Sequence, residues 1–447
     1  MKIQVSEKNQ AHKYNFDISL VSQDIESSCV DVTKIPSSLN IDDRTTRSRY
    51  LGKKSKTSSV KIALYSHDTM GLGHSRRNQL IAQTLANSRL QASILIVAGV
   101  PQQDYLSMSP NIDYLTLPSL YKEVDGQYRS RHLKLSLSDI LSLRSKTIRA
   151  AVKAFKPDVL IVDNVPRGAL RELELTLKYL RKHKRTHCVL GLRDVLDEPE
   201  IVRCEWDRAQ NEAAISKYYD NLWIYGDSNV CDPVQEYGFD PDVAAKVRYL
   251  GYLDQTQRIE YKEFENIDPL APLNLTPGKL VLCLVGGGQD GANLARAFSK
   301  TVLPPDTNGV IITGPFMPSE VKHSLDCCGE INPRLRVLNF VPEPTLLLSR
   351  ADRVIAMGGY NTTCEILSFA KQALIVPRVK PRKEQLIRAE RLHNMGLIDL
   401  LHPDNLSSAA LSEWLAREDR PPLRIRERLD LNGLERLPYL LEEVLVS

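Results

Sequence analysis

Met357-Gly-Gly-Tyr-Asn-Thr-Thr-Cys-Glu365 is the stretch on which the reading of this chain turns. The apolar run Val354-Ile355-Ala356 precedes it, and Glu365-Ile366-Leu367 to Ala370 follows with helical spacing. Strand, glycine turn and helix in that order bring free backbone N–H groups and the positive end of a helix dipole to one point. Gly358 and Gly359 let the backbone approach a ligand closely, and Asn361, Thr362 and Thr363 add short hydrogen-bonding side chains. The arrangement suits a phosphate or diphosphate. It is equally the capped strand-to-helix turn that any α/β protein carries.

A second unit of the same kind lies upstream. Leu280-Val-Leu-Cys-Leu-Val285 reads as a buried strand, Gly286-Gly-Gly-Gln-Asp-Gly291 as the turn, and residues 292–298 as a helix. The spacing Gly-Gly-Gly-x-x-Gly is near the dinucleotide fingerprint without matching it. A third unit opens the ordered part: the strand Val60-Lys-Ile-Ala-Leu-Tyr65, a loop 66–74 with Gly71 and Gly73, a helix over residues 75–86 and a strand over 93–98. This is a βαβ unit with a right-handed crossover expected. Residues 121–131 read as a charged loop, 136–155 and 172–185 as helices, and 157–162 as a buried strand closed by Asp163.

The chain has 447 residues, too many for one ordinary core. The expected organisation is a flexible polar tail over 1–59, an α/β domain over 60–255, a linker over 256–278 carrying Pro269, Pro272 and Pro277, and a second α/β domain over 279–447. Two such domains would face each other across a cleft, with ligands at the carboxyl ends of their strands.

Net charge is only +4, which argues against wholesale nucleic-acid binding. No run reaches the roughly 18 apolar residues that span a bilayer, and the polar N-terminus does not read as a signal peptide. None of the eight cysteines forms a C-x-x-C pattern, so reduced structural thiols and a cytoplasmic protein are expected. Six cations among Ser and Thr in the tail, Arg44, Arg47, Arg49, Lys53, Lys54 and Lys56, read as a solvated linker or as a peripheral contact with the inner membrane face.

Certain of these residues resemble a known family. Gly-x-Gly-His74 early, and Gly-Gly-Tyr-Asn-Thr-x-x-Glu365 late, look like the GT-B glycosyltransferases of family 28. Residues 65–78, Tyr-Ser-His-Asp-Thr-Met-Gly-Leu-Gly-His-Ser-Arg-Arg-Asn, and 191–199, Gly-Leu-Arg-Asp-Val-Leu-Asp-Glu-Pro, resemble more narrowly a bacterial group of predicted glycosyltransferases. The resemblance implies a GT-B fold of two Rossmann-like domains, the first for an acceptor and the second for a nucleotide-sugar donor.

Carried over residue by residue, it implies that His74 is the general base beside the acceptor and that Asp163 orients it. His67 in the same loop is the rival base. Gly286, Gly287 and Gly288, with Gln289, would border the donor diphosphate together with Gly358, Gly359, Asn361 and Thr362. Val341 would meet the nucleobase through its backbone, Glu365 would hold the ribose hydroxyls, and Glu384 and Gln385 would touch the donor sugar. Two departures stand out. The loop after Val285 is one residue longer than in the peptidoglycan-precursor members. Their glycine-rich acceptor loop is replaced by Asp163-Asn-Val-Pro-Arg-Gly168, so their acceptor does not carry over.

The expected reaction is inverting transfer from a nucleotide-diphosphate sugar, UDP-linked by the resemblance, to a hydroxyl acceptor in cell-envelope, exopolysaccharide or glycolipid synthesis. A lipid-linked or polysaccharide acceptor fits that expectation. No cofactor is expected, the nucleotide sugar being a substrate. No metal is expected either: the sole Asp-x-Asp, Asp240-Pro-Asp242, reads as a turn and cap. Arg378, Lys380, Arg382 and Lys383 form either a diphosphate counter-charge or a solvated basic loop. A nucleotide-sugar epimerase and a non-catalytic nucleotide-sugar-binding protein stay open as alternatives.

Overall fold

Two parallel sheets carry the chain, and the same winding rule builds both. In the first, strands run in the order Ile112–Thr116, Ser93–Ala98, Lys61–Tyr65, Val159–Asp163, His187–Arg193, Asn221–Tyr225, Val247–Tyr249. In the second the order is Leu335–Leu338, Thr307–Ile312, Lys279–Leu284, Arg353–Ala356, Gln372–Ile375, Asp399–Leu400. Every pairing in both is parallel. The computed structural model describes residues 59–67, 73–99, 110–122, 127–260, 268–419, 421 and 423–446. These fall in one unit of the chain, 58–447. The polar tail, Gly71 and part of the proline-rich linker lie outside the described residues.

Parallel strands covered on both faces need continuous apolar runs. Val159–Asp163 is buried at every position, and Thr307–Ile312 likewise. Each sheet reverses its strand order once: between Lys61–Tyr65 and Val159–Asp163 in the first, and between Lys279–Leu284 and Arg353–Ala356 in the second. A crevice opens at such a switch point, beyond the carboxyl ends of the strands.

Several expectations need correction. Residues 121–131 are no plain loop: Leu120–Lys122 and Tyr128–Ser130 pair antiparallel. The third predicted helix of the first half spans Glu174–His183, after a single 3-10 turn at Ala169–Arg171. The first helix begins earlier than its spacing suggested, at Gly73, so His74 stands in its first turn. The helix after the glycine pair also begins early, at Tyr360, which moves Glu365 into its second turn. The linker opens on a 3-10 turn, Gln255–Arg258, whose two end residues are buried. Outside these corrections, the helix Gly433–Val446 packs against the first lobe. Arg89 donates to Glu442 Oε2 at 2.5 Å and lies 4.2 Å from the Tyr439 ring centre. The Tyr252 N–H meets the Asp430 carbonyl at 2.8 Å.

Candidate active site

The two switch points face one cleft of about 340 Å³. From the first lobe it is lined by Gly73, His74, Arg76, Arg77, Tyr114 and Arg193; from the second by Gly286, Gly287, Phe316, Val341, Gly359, Asn361, Thr362 and Glu365. Arg258 of the connecting turn joins them. A side cavity of about 200 Å³ continues under the glycine loops and is bordered by Gly288, Gln289, Gly358, Arg378 and Gln385. Residues distant in sequence are therefore brought to one place.

His74 Nδ1 lies 2.6 Å from Asp163 Oδ2. Asp163 is 1% exposed and ends the strand on the other side of the switch point. Burial opposes ionisation of this carboxyl, but Arg77 and His74 outweigh it and hold its pKa well below the usual carboxylate range. An ionised carboxylate only accepts, so Nδ1 is assigned the proton and donates it to Asp163. Nε2 is then left as the ring's acceptor. Arg77 Nη2 donates to the other oxygen, Oδ1, at 2.5 Å, and Asn78 Nδ2 reaches Oδ2 at 3.3 Å. Helical spacing explains this crowding, since residues three and four after His74 share its face. Arg77 was not anticipated, although the motif that supplied His74 contains it. His67 packs edge-on to His74, with ring centres 5.8 Å apart.

On the second lobe, Gly288 has φ +96°, and a Cβ there would fall 2.3 Å from the Thr313 carbonyl oxygen. Gly358, at φ +72°, is pressed by Ile375. Gly359 has open space where its side chain would be, and it precedes the helix Tyr360–Ser368. Free N–H groups at this helix start thus border the cleft. Asn361 Nδ2 also donates to the Gly73 carbonyl at 2.8 Å, tying the two helix starts together across the cleft.

Glu365 is buried rather than solvated. Its Oε1 accepts from Arg76 Nη2 at 3.0 Å and from Thr345 Oγ1 at 3.1 Å. Glu343 takes the same arginine at 2.6 Å. Glu384 is buried behind Arg378, 3.0 Å from its Nη2, and Gln385 Oε1 accepts from the Arg378 N–H at 2.9 Å. Glu384 is thus not among the residues lining either cavity.

In the basic loop 378–383, Lys380 and Lys383 are exposed, and Arg378 borders the side cavity while both arginines are held in ion pairs. Arg378 pairs with Asp290 and Glu384, Arg382 with Asp197 and Glu205, and Lys383 with Glu198. The cation that lines the cleft with the weakest partner is Arg193. Its nearest carboxylate, Glu384, is 3.9 Å away, and burial pulls its pKa below the usual guanidinium value. The 191–199 motif contains it; the motif's acids, Asp194, Asp197 and Glu198, form a seam to the second lobe. Asp240 precedes a one-turn helix, Pro241–Ala244, as its sequence suggested, without a side-chain cap bond.

Residues 281–440 match the glycosyltransferase family 28 C-terminal domain. An uncharacterised glycosyltransferase of Methanosarcina acetivorans is 30% identical over 31% of this chain and 33% of its own. One from Methanosarcina mazei is 24% identical over 56% and 61%. The UDP-N-acetylglucosamine–N-acetylmuramyl-(pentapeptide) pyrophosphoryl-undecaprenol N-acetylglucosamine transferase of Pelobacter propionicus is 28% identical over 29% and 35%. The chain therefore spans less than two thirds of these relatives. Among solved structures, MurG of Acinetobacter baumannii aligns with 86% of this chain and 99% of its own at 14% identity and TM-score 0.53. The UDP-GlcNAc 2-epimerase of Neisseria meningitidis aligns with 87% and 99% at 13% and 0.54. UGT2 of Phytolacca americana aligns with 87% and 100% at 12% and 0.56. At such identities the likeness is one of fold: two Rossmann-like lobes in the GT-B arrangement.

Proposed function

From a chain whose second lobe is a family 28 glycosyltransferase C-terminal domain on a GT-B fold, we propose an inverting, metal-independent transfer of a sugar from a nucleotide-diphosphate sugar to a hydroxyl acceptor. The observation that carries this reading is the His74–Asp163 pair, set across the cleft from the Gly286–Gly288 loop and the start of the Tyr360–Ser368 helix. Nε2 of His74 takes the proton of the acceptor hydroxyl, whose oxygen attacks the anomeric carbon. The bond to the diphosphate breaks, and the leaving group carries away the electron pair. Asp163 keeps the ring in the tautomer that leaves Nε2 free, and stabilises the imidazolium that forms. The oriented N–H groups of the glycine loops and the helix dipole receive the growing negative charge. Arg193, which lacks a close carboxylate, adds a counter-charge within the cleft. Glu365 accepts from the ribose hydroxyls and Val341 borders the base. The donor is UDP-linked by kinship with the named relative, and the pathway is one of envelope, exopolysaccharide or glycolipid synthesis.

An epimerase shares the fold. A base poised on the side of the cleft away from the donor loops favours transfer instead. The test is a thermal-shift screen with uridine, guanosine and thymidine diphosphates, followed by transfer assays with the matching sugars. A bound nucleotide raises the unfolding temperature by mass action. Turnover should withstand EDTA, and an α-linked donor should give a β-linked product by NMR. Isomerised sugar formed without acceptor would favour the epimerase. An α-linked product would end the single-displacement mechanism.

No helix among the described residues is long and apolar enough to cross a membrane. We extend the proposal to a cytoplasmic protein working at the membrane periphery, where a lipid-linked acceptor would be met.

A further inference from the structure

Both bonds to Glu365 fall on Oε1: Arg76 Nη2 at 3.0 Å and Thr345 Oγ1 at 3.1 Å. Thr345 belongs to the second lobe, on the helix Pro344–Arg350, but Arg76 comes from the first, on the helix Gly73–Asn87. The same Nη2 donates to Glu343 Oε1 at 2.6 Å. Arg258 braces the group from behind. Its Nη2 donates to the Arg76 carbonyl at 2.6 Å, and its Nη1 lies 3.7 Å from Glu343 Oε2. Glu343 and Arg258 are 4% and 3% exposed, so water does little of this work.

Ribose hydroxyls need an acceptor, and a carboxylate alone supplies one. The cation must have another use. Burial and Glu343 both work against a charge on Glu365, and its pKa is raised although Arg76 and Arg258 pull it down. Glu343, closer to both arginines, is held lower than usual despite its burial. Of the two acids, Glu365 is therefore the one whose charge its surroundings oppose the more. Since Arg76 takes only Oε1, Oε2 is left for a hydroxyl.

Resting on the reading of Glu365 as the ribose acceptor, we propose that Arg76 is a cross-cleft positioning residue. It fixes the Glu365 carboxylate from the opposite lobe, so that the donor site is complete only when the first lobe is in place. Docking of the lobes and readiness for the nucleotide are then one event.

The test measures calorimetric affinity for uridine diphosphate and for its 2′,3′-dideoxy analogue, with wild type, Arg76→Met, Arg76→Lys and Glu365→Gln. Arg76→Met should weaken uridine diphosphate about tenfold or more, the value of one charge-assisted hydrogen bond. It should leave the dideoxy analogue unaffected, because that ligand has nothing to offer Glu365. Without Arg76 the Glu365 pKa rises further, so the acid form prevails at lower pH and affinity returns as pH increases. The wild type should be flat across that range. The groups facing Glu365 are Arg76, Arg258 and Glu343, and of these only Arg76 is altered. Arg76→Lys, which keeps the charge without the fork, should fall between the two and serves should the methionine variant not fold. Unchanged or tighter uridine diphosphate binding in both Arg76 variants would overturn the proposal, the latter showing a competitor for the ribose site. An equal loss for both ligands would mean general damage and overturn it too. If Glu365→Gln binds both ligands as wild type does, or wild type binds neither, the ribose assignment itself has failed.

Discussion

His74 and Asp163 lie far apart in sequence, yet 2.6 Å separates their polar atoms. One pairing of this kind decides the chemistry, because it selects the tautomer. Replacing His74 by Ala should lower turnover about a hundredfold or more, the usual contribution of a positioned base. Nucleotide affinity should hardly move, since the donor groups stand on the other lobe. Asp163→Asn should cost less, and His67→Ala least, when initial rates of sugar transfer are compared. The reverse order, with His67 essential and His74 dispensable, would transfer the base to the neighbouring ring. Arg77 shares Asp163 with His74, so its guanidinium moderates the carboxylate's pull on the imidazole.

At the scale of elements, the strand–glycine–helix units are what hydrophobic pattern and glycine placement could predict. Two of their helix starts lie two and five residues earlier than spacing suggests, for a physical reason. The dipeptides Gly73-His74 and Gly359-Tyr360 start helices whose first turns are held by contacts across the cleft, here Asn361 to the Gly73 carbonyl. Local spacing carries no trace of such a contact. The Leu120–Lys122 hairpin was missed because two three-residue strands are shorter than any period can register. Glycine at 288 is testable. Gly288→Ala would force a Cβ to within 2.3 Å of the Thr313 carbonyl at a positive φ. The loop must shift, so the variant should lose several degrees of thermal stability and most of the stabilisation that a nucleoside diphosphate gives the wild type. An unaltered ligand-induced shift by scanning fluorimetry would mean that this loop does not touch the diphosphate.

Across the whole molecule, the lobes are pinned by charge. Arg388 donates to Asp194 through Nε and Nη2, at 2.7 to 3.0 Å, and both side chains are buried. Tyr252 adds a bond to Asp194 at 2.7 Å, and Arg388 lies 5.6 Å from the Tyr360 ring centre, next to the glycine motif. Removing one partner leaves an uncompensated buried charge. Arg388→Ala should cost about 3–5 kcal/mol by urea denaturation. Burial works against ionisation of Asp194, but Arg388 prevails and its pKa is lowered. A depressed carboxyl contributes stability that is complete above its unfolded value of about 4 and is lost as pH falls through the folded value. Acid denaturation should therefore be less steep in Asp194→Asn than in wild type. Equal slopes would remove this pair from the account.

In the sequence by itself, hydrophobic period and glycine placement made legible the repeated strand–glycine–helix units, the two-lobed α/β arrangement and the glycines that line the cleft. Period, glycine position and motif are local properties that each segment carries alone. The sequence also pointed to His74 and Asp163, though only through resemblance. Tertiary structure decided what those residues touch. It buried Glu365 beneath Arg76, which no helix-start reading of a carboxylate suggests. It committed Arg378, Arg382 and Lys383 to ion pairs and left Arg193 facing the cleft. It turned the 191–199 motif into a seam between lobes. A charge shows in sequence as a letter. Its partner is chosen by two sheets whose switch points meet, and that meeting is a property of packing across the whole chain.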